Sequence, residues 1–362
     1  MKIKVNKEEI QAGIATVSNI VSSKATLPIL SNILLETTAD GLKVNATDLD
    51  IGISCEFPVN VFEQGAITIP AKRLSDIVRE LPVGEVNITA RKNNQIDIEG
   101  INCRFKLNGL PKEEFPKFPE FNNKESVLIK QADLKEMIRL TAFAVSFEES
   151  RYVLNGILME IANDVIRLIA TDGRRLAKIE KKLIQASMKE FSVIVPVKAI
   201  AEINRNLKET GEVTITNGIN QVLFNIDGVL IATRIIEGEF PNYRQVIPKE
   251  INTKVKIKTA DILAAIKRAN LLATPDFQAI KFEIFKDKMV ISKSTPDIGE
   301  SREEINIDYG QQELMVGFNP QFFIDVLKNI NDEHIMLEFL GPDKPCVLRL
   351  RDYLYLALPM RL

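Results

Sequence analysis

One pattern occurs three times along this chain, and it constrains the fold more than any single motif does. A short strand running into an amphipathic helix opens the chain at residues 3–10 and returns at 128–134 and 256–262. Leu134 lies 124 residues after Ile10, and Ile262 lies 128 residues after Leu134. Apolar residues then follow at helical spacing: Ile10, Ile14 and Val17; Leu134, Ile138 and Ala142; Ile262, Ile266 and Ala269. Glu8, Glu9, Asp133 and Asp261 sit in the first turns, where the helix dipole favours acids. A second feature, strand then proline then helix, recurs at Pro70, Pro196 and Pro320, spaced 126 and 124 residues apart. Proline suits a helix start because its missing N–H would have no intrahelical partner there. Alternating strands follow each helix, separated by turn pairs such as Asp40-Gly41, Asn217-Gly218 and Asp227-Gly228.

Each third of the chain therefore reads β-α-β-β-β twice, an α+β fold in three copies. Proline-rich joints at 110–119 and 240–248 end the first two copies. The expected domains are 1–121, 122–248 and 249–362.

Composition narrows the function. Of 362 residues 45% are apolar, enough for a large core, and the formal net charge of −2 excludes a globally basic nucleic-acid coat. Three scattered cysteines (Cys55, Cys103 and Cys346) argue against a disulfide framework or a CxxC zinc site, and a single histidine, His334, argues against a His-ligated metal. The N-terminus MKIKVNKEEI lacks the apolar core of a signal peptide, and no apolar run approaches membrane-spanning length. The expectation is a reduced, soluble, cytoplasmic protein. No phosphate-binding glycine loop and no nucleophile elbow is present. Asp48 and Asp50 could hold a divalent metal, but the matching place in the second copy, Thr171-Asp172-Gly173, reads better as a turn. His334 reads as a loop histidine and Cys346 as a small apolar filler. No catalytic residue, metal ligand or cofactor is expected.

Basic residues fall at matching places in the copies. Arg79 and Arg205 each lie nine residues after their proline, and Arg139 and Lys267 each lie five after the first apolar helix position; Lys198 and Arg268 add to them. Charges on outer helix faces are ordinary, and acids such as Asp76 and Glu202 are interspersed. Arranged around an axis with helices inward, however, these positions would meet on one concave surface that attracts phosphate without reading bases.

The motifs TLPILSN (26–32), RYVLNG (151–156), ATDGRRLA (170–177), EGEFPNY (237–243) and LPMRL (358–362) together resemble the bacterial DNA polymerase III β subunit family, the replicative sliding clamps, over the whole chain. The resemblance implies a head-to-tail homodimer: a six-domain ring with twelve helices lining the hole and sheets forming the wall. It implies a processivity factor, not an enzyme. The expected partners are encircled double-stranded DNA, a second copy of the chain, the replicative polymerase catalytic subunit, the clamp loader and other proteins with a clamp-binding peptide, with no membrane.

By the same resemblance, Lys24 and Tyr152 are loop positions that touch DNA, although Val153 stands where the family often has a second aromatic. Arg104, Phe105 and Leu107 would face Leu271, Leu272, Glu300, Glu303 and Glu304 across the dimer joint. The partner-peptide groove would use Leu154, Thr171, Gly173, Arg175, Leu176 and Pro241. From further along the chain it would use Val246, Cys346, Leu356, Pro359, Met360 and Arg361. Arg174, Gln245 and Leu358 depart from the family's usual residues there. Two competing readings are a Mg²⁺-dependent DNA-processing enzyme using Asp48, Asp50 or Asp172, and a protein-only scaffold.

Overall fold

A computed structural model describes residues 1–22, 27–121, 126–185, 190–249 and 253–362. Among the described residues are six α-helices: α1 (Lys7–Ser18), α2 (Ala71–Glu80), α3 (Gln131–Thr141), α4 (Val197–Asn206), α5 (Thr259–Ala269) and α6 (Pro320–Asn329). Each helix directly follows one strand and is followed by three more, as the sequence pattern predicts. One short strand, Asn60–Glu63, is additional; it pairs with the outer edge of Lys2–Asn6. Pro320 begins α6, with Asn319 capping it by accepting from the Gln321 N–H at 2.9 Å, whereas Pro70 and Pro196 end the preceding strands one residue before α2 and α4, so the helix-start reason holds only at Pro320. Helix faces follow the apolar spacing: Ala71, Leu74 and Val78 are buried on α2, and Ile262, Ala265, Ile266 and Ala269 on α5.

The two halves of each copy exchange their first strands. Lys2–Asn6 precedes α1 but pairs with Glu85–Ala90, which follows α2 (Ile3 opposite Ile88). Ala66–Pro70 precedes α2 but pairs with Asn32–Thr37, which follows α1 (Ile33 opposite Ile69). The second copy repeats this with Ser126–Lys130 on Glu212–Asn217 and Phe191–Pro196 on Gly156–Ala162. The third does so with Thr253–Lys258 on His334–Phe339 and Leu314–Phe318 on Ile280–Phe285. The alternating burial of a strand such as Ile280–Phe285 fixes this register, because a one-residue slip would turn Phe282 and Ile284 to the outside.

Neighbouring copies fuse through the strands that end each half. Ile51–Phe57 pairs with Val229–Arg234, and Arg175–Lys182 pairs with Tyr353–Ala357, giving two continuous eight-stranded sheets. Three repeats therefore pack as two compact units, one mainly of residues 1–132 and 198–235, the other of 133–182, 190–197 and 236–362. Two half-ending strands find no such partner: Cys103–Asn108 at one edge of a five-stranded sheet and Gly299–Asn306 at one edge of a four-stranded sheet.

Candidate DNA and partner interfaces

The two internal joints share one register. In the first joint Ile231 stands opposite Ile53, and in the second Tyr355 stands opposite Ala177. Phe105 occupies the ladder place of Ile231 and Tyr355: it lies opposite Ile98 just as they lie opposite Phe224 and Leu348. Ser301, opposite Lys293, occupies the place of Ile53 and Ala177, which lie opposite Ala46 and Ala170. The two unpaired strands thus carry the same positions as the two joints, but with other chemistry.

The unpaired strands are charged and exposed. Arg104 bridges Asp97 at 3.1 Å and Glu99 at 3.0 Å, and Arg302 bridges Glu304 at 2.7 Å. Burial pushes the Asp97 carboxyl up, but hydrogen bonds and charge from Arg91 and Arg104 outweigh it and hold the group below the usual carboxylate range. Glu303 is likewise held low, by a two-pronged bond from the Arg268 guanidinium, both arms at 2.6 Å. Beside the Gly299–Asn306 edge, Leu271 is 81% exposed; Phe105 on the other edge is 37% exposed. Leu272 and Leu107 are half-buried.

Around the predicted groove, the turn after Thr171 repeats the turn after Thr47 atom for atom. Asp48 Oδ1 accepts from the N–H of Asp50 and Ile51, and Asp172 Oδ1 accepts from the N–H of Arg174 and Arg175. The remaining oxygen of Asp48 takes Lys198, and that of Asp172 takes Arg175 Nε at 3.0 Å. Asp48 and Asp172 cap their own turns, so of the Asp48 and Asp50 pair raised from the sequence as a metal site the Asp48 carboxylate has a structural use. Among the described residues no cluster of acids, cysteines or histidine could hold a metal.

The groove residues fall into three places. Leu176 and Leu356 join Leu158, Ile169, Tyr243 and Leu354 in a buried apolar cluster, against which Val153, Phe240 and Ile247 pack. Leu154, Thr171 and Cys346 are also buried, whereas Gly173, Pro241 and Val246 are exposed above. Pro359, Met360 and Arg361 continue from Leu358, whose N–H donates to Arg174 O at 2.8 Å. Met360 and Arg361 line a cleft of ≈ 590 Å³ with Phe277 and Arg302. Arg175 was expected to grip a partner, yet its donors are committed: Nη1 to Asp325 at 2.6 Å, Nη2 to Phe143 O at 2.6 Å, and its plane over the Phe322 ring at 4.8 Å. It ties the second copy to α6 in the third.

Two residues outside the sequence expectation shape this region. Arg151 donates to Asp172 O at 2.9 Å and crosses where a Cβ on Gly173 would sit, and Gly173 has φ +86°. Tyr243 donates to Glu160 at 2.8 Å; burial and that carboxylate push its phenol up to about 12.

Of the basic helix residues, Arg79, Arg205, Lys198, Lys267 and Arg268 are exposed and Arg139 is half-buried. Most have an acid at hand: Asp76 for Arg79 at 2.9 Å, Glu136 for Arg139 at 3.8 Å and Glu202 for Arg205 at 3.6 Å. Tyr152 is 58% exposed. Lys24 lies outside the described residues.

Family profiles described as the N-terminal, central and C-terminal domains of the DNA polymerase III beta subunit match residues 1–119, 128–242 and 244–361. The chain belongs to the DNA polymerase III beta subunit family. A beta sliding clamp of Chlamydia pneumoniae is 32% identical over all of this chain and 99% of that protein. The beta sliding clamp of Bacillus subtilis is 31% identical over the full length of both. A crystal structure of the DNA polymerase sliding clamp from Bacillus subtilis superposes with a TM-score of 0.97, at 30% identity over 100% of this chain and 99% of that one. Its fold is that of a three-domain beta subunit. The turn motif ATDGRRLA announced the Asp172 cap, but no local signal announced Asp325 as the partner of Arg175, because the two are 150 residues apart.

Proposed function

We propose that this chain closes head to tail with a second copy into a ring around duplex DNA. It acts as the sliding clamp that tethers a replicative polymerase, a processivity factor without a catalytic site of its own. The observation that carries the reading is the pair of unpaired strands, Cys103–Asn108 and Gly299–Asn306, which hold the positions used for pairing at both internal joints.

Carrying that register over puts Phe105 opposite Ser301 of the second chain, Lys106 opposite Glu300, and Arg104 opposite Arg302 but diagonal to Glu300 and Glu304, so the two glutamates offset that like-charge pair. Opposite charges at such positions contribute about 0.2–1 kcal/mol per pair. The two edges belong to different surfaces, so the contact is heterologous. It closes only if the rotation returns on itself, which three similar domains taken twice supply. Closure also removes two exposed sheet edges. On this reading the domains run 1–121, 122–248 and 249–362.

A closed ring cannot leave DNA sideways, and a tethered polymerase then gains effective concentration without new catalytic contacts. Arg79, Arg139, Tyr152, Lys198, Arg205, Lys267 and Arg268 would face the duplex. Their neighbouring acids keep the grip weak and sensitive to salt, as sliding requires. Polymerase, clamp loader and other partners would insert an apolar-tipped peptide over Gly173, Pro241 and Val246, with the tail residues Pro359, Met360 and Arg361 alongside. On this reading the protein works on duplex DNA in the cytoplasm; no helix among the described residues is long and apolar enough to cross a membrane.

The test is topological. Chain loaded on nicked circular DNA should stay bound through gel filtration and fall off when the circle is cut. Retention unchanged by linearisation would defeat the ring, since only linkage depends on free ends.

A further inference from the structure

A buried lysine stands in the third copy where the other two have alanine. Lys293 lies opposite Ser301, the ladder place held by Ala46 opposite Ile53 and by Ala170 opposite Ala177. The alanines are 1% and 0% exposed, and Lys293 is 5% exposed. Its Nζ donates to Phe277 O at 2.6 Å and to Ala279 O at 2.9 Å. Both acceptors are neutral carbonyls. Burying an ammonium on carbonyls alone is costly, and burial lowers its pKa accordingly. Two residues further on the same strand face, Thr295 Oγ1 donates to Leu272 O at 2.5 Å. One strand, Lys288–Thr295, thus holds three carbonyls of the loop that follows α5. That loop carries Leu271, 81% exposed, beside the unpaired edge Gly299–Asn306.

We propose that Lys293, assisted by Thr295, is a positioning residue for the joint with a second chain: it fixes the 270–279 loop in the shape that presents Leu271 to the incoming Cys103–Asn108 strand. The inference rests on the ring reading above. The equivalent strands of the first two copies find their partners within the same chain, and alanine suffices there. The third must keep an apolar residue presented to water until a partner arrives. Holding the loop beforehand removes its ordering cost from the association step.

The experiment compares full-length Lys293→Met and Thr295→Val with the parent chain by sedimentation over a concentration series. Amide exchange at residues 272–279 and circular dichroism accompany it. Lys293→Met keeps the packing volume and removes every donor. It should raise the dimer dissociation constant by about tenfold or more and speed exchange in the loop, with unchanged secondary structure. A merely structural lysine would lower thermal stability and leave the dissociation constant where it was, and that result overturns the proposal. Should Lys293→Met fail to fold, Thr295→Val removes one hydroxyl and should show the same pattern at a smaller shift; parent-like affinity in that variant overturns the proposal too. A parent chain that stays monomeric at every concentration ends the ring reading and this inference together, whereas a parent dimer with unaltered variants ends this inference alone.

Discussion

The second internal joint and the two unpaired edges are the same piece of architecture with opposite chemistry. At the joint, the outer ladder positions are Leu176, Leu354 and Leu356, covered by Phe240 and Tyr243 from the linker. At the edges, the matching positions are Glu300, Arg104 and Lys106. A joint made within one chain never meets water, so leucine is stable there. An edge that waits for a second chain must remain soluble while open, and charge on an edge strand also discourages pairing with wrong partners. The first joint lies between these extremes, with Gly52 under the Phe118 ring and opposite Ala232, and Leu230 opposite Ser54.

Substitutions at matched positions should separate the two situations. Leu354→Ala should destabilise the chain by about 2–5 kcal/mol in urea denaturation, because it opens a cavity in a covered cluster. Arg104→Ala at the equivalent place should cost the monomer well under that, because Arg91 still pairs the buried Asp97 carboxylate. Equal losses in the two variants would erase the distinction between joint and edge. Phe105→Ala should act in the reverse sense, leaving monomer stability intact while raising the dimer dissociation constant about tenfold or more in sedimentation, since each 1.4 kcal/mol is a factor of ten. The charge pairing can be sharpened with a cycle. Lys106→Glu and Glu300→Lys should each weaken the dimer by up to about fivefold at low salt, and the double variant should recover most of the loss. Recovery at a different pair of positions would mean another register.

Acid should loosen the two edge strands within the folded chain. Asp97 and Glu303 both have folded-state pKa values below the usual carboxylate range. Their contribution is therefore full above the unfolded value, about 4, and is lost as pH falls through the lower folded values. Stability to urea should be level above about pH 5 and fall below about pH 4, because the arginines that hold both carboxylates low belong to the same chain. The smallest effect concerns the two matched turns: Leu49 sits at φ 80° where the second copy has Gly173 at φ 86°. Leu49→Gly should be neutral or stabilising by up to about 1 kcal/mol in urea denaturation, where most leucine-to-glycine changes destabilise.

The sequence by itself determined the three copies, six helices and their faces, and the order of strands around them, because helical spacing, alternation and proline placement are local signals. It also determined the turn at Asp172, since an aspartate caps the backbone two and three residues on. Only the tertiary structure decided which strands pair. Local pattern would join Lys2–Asn6 to the strand after α1, yet it pairs across the copy with Glu85–Ala90. The structure likewise decided that Arg175 is a clasp to Asp325 and that Lys198 meets Asp48, 150 residues away in each case. A side chain's partner depends on what the rest of the chain brings beside it, and nothing in the neighbouring residues encodes that.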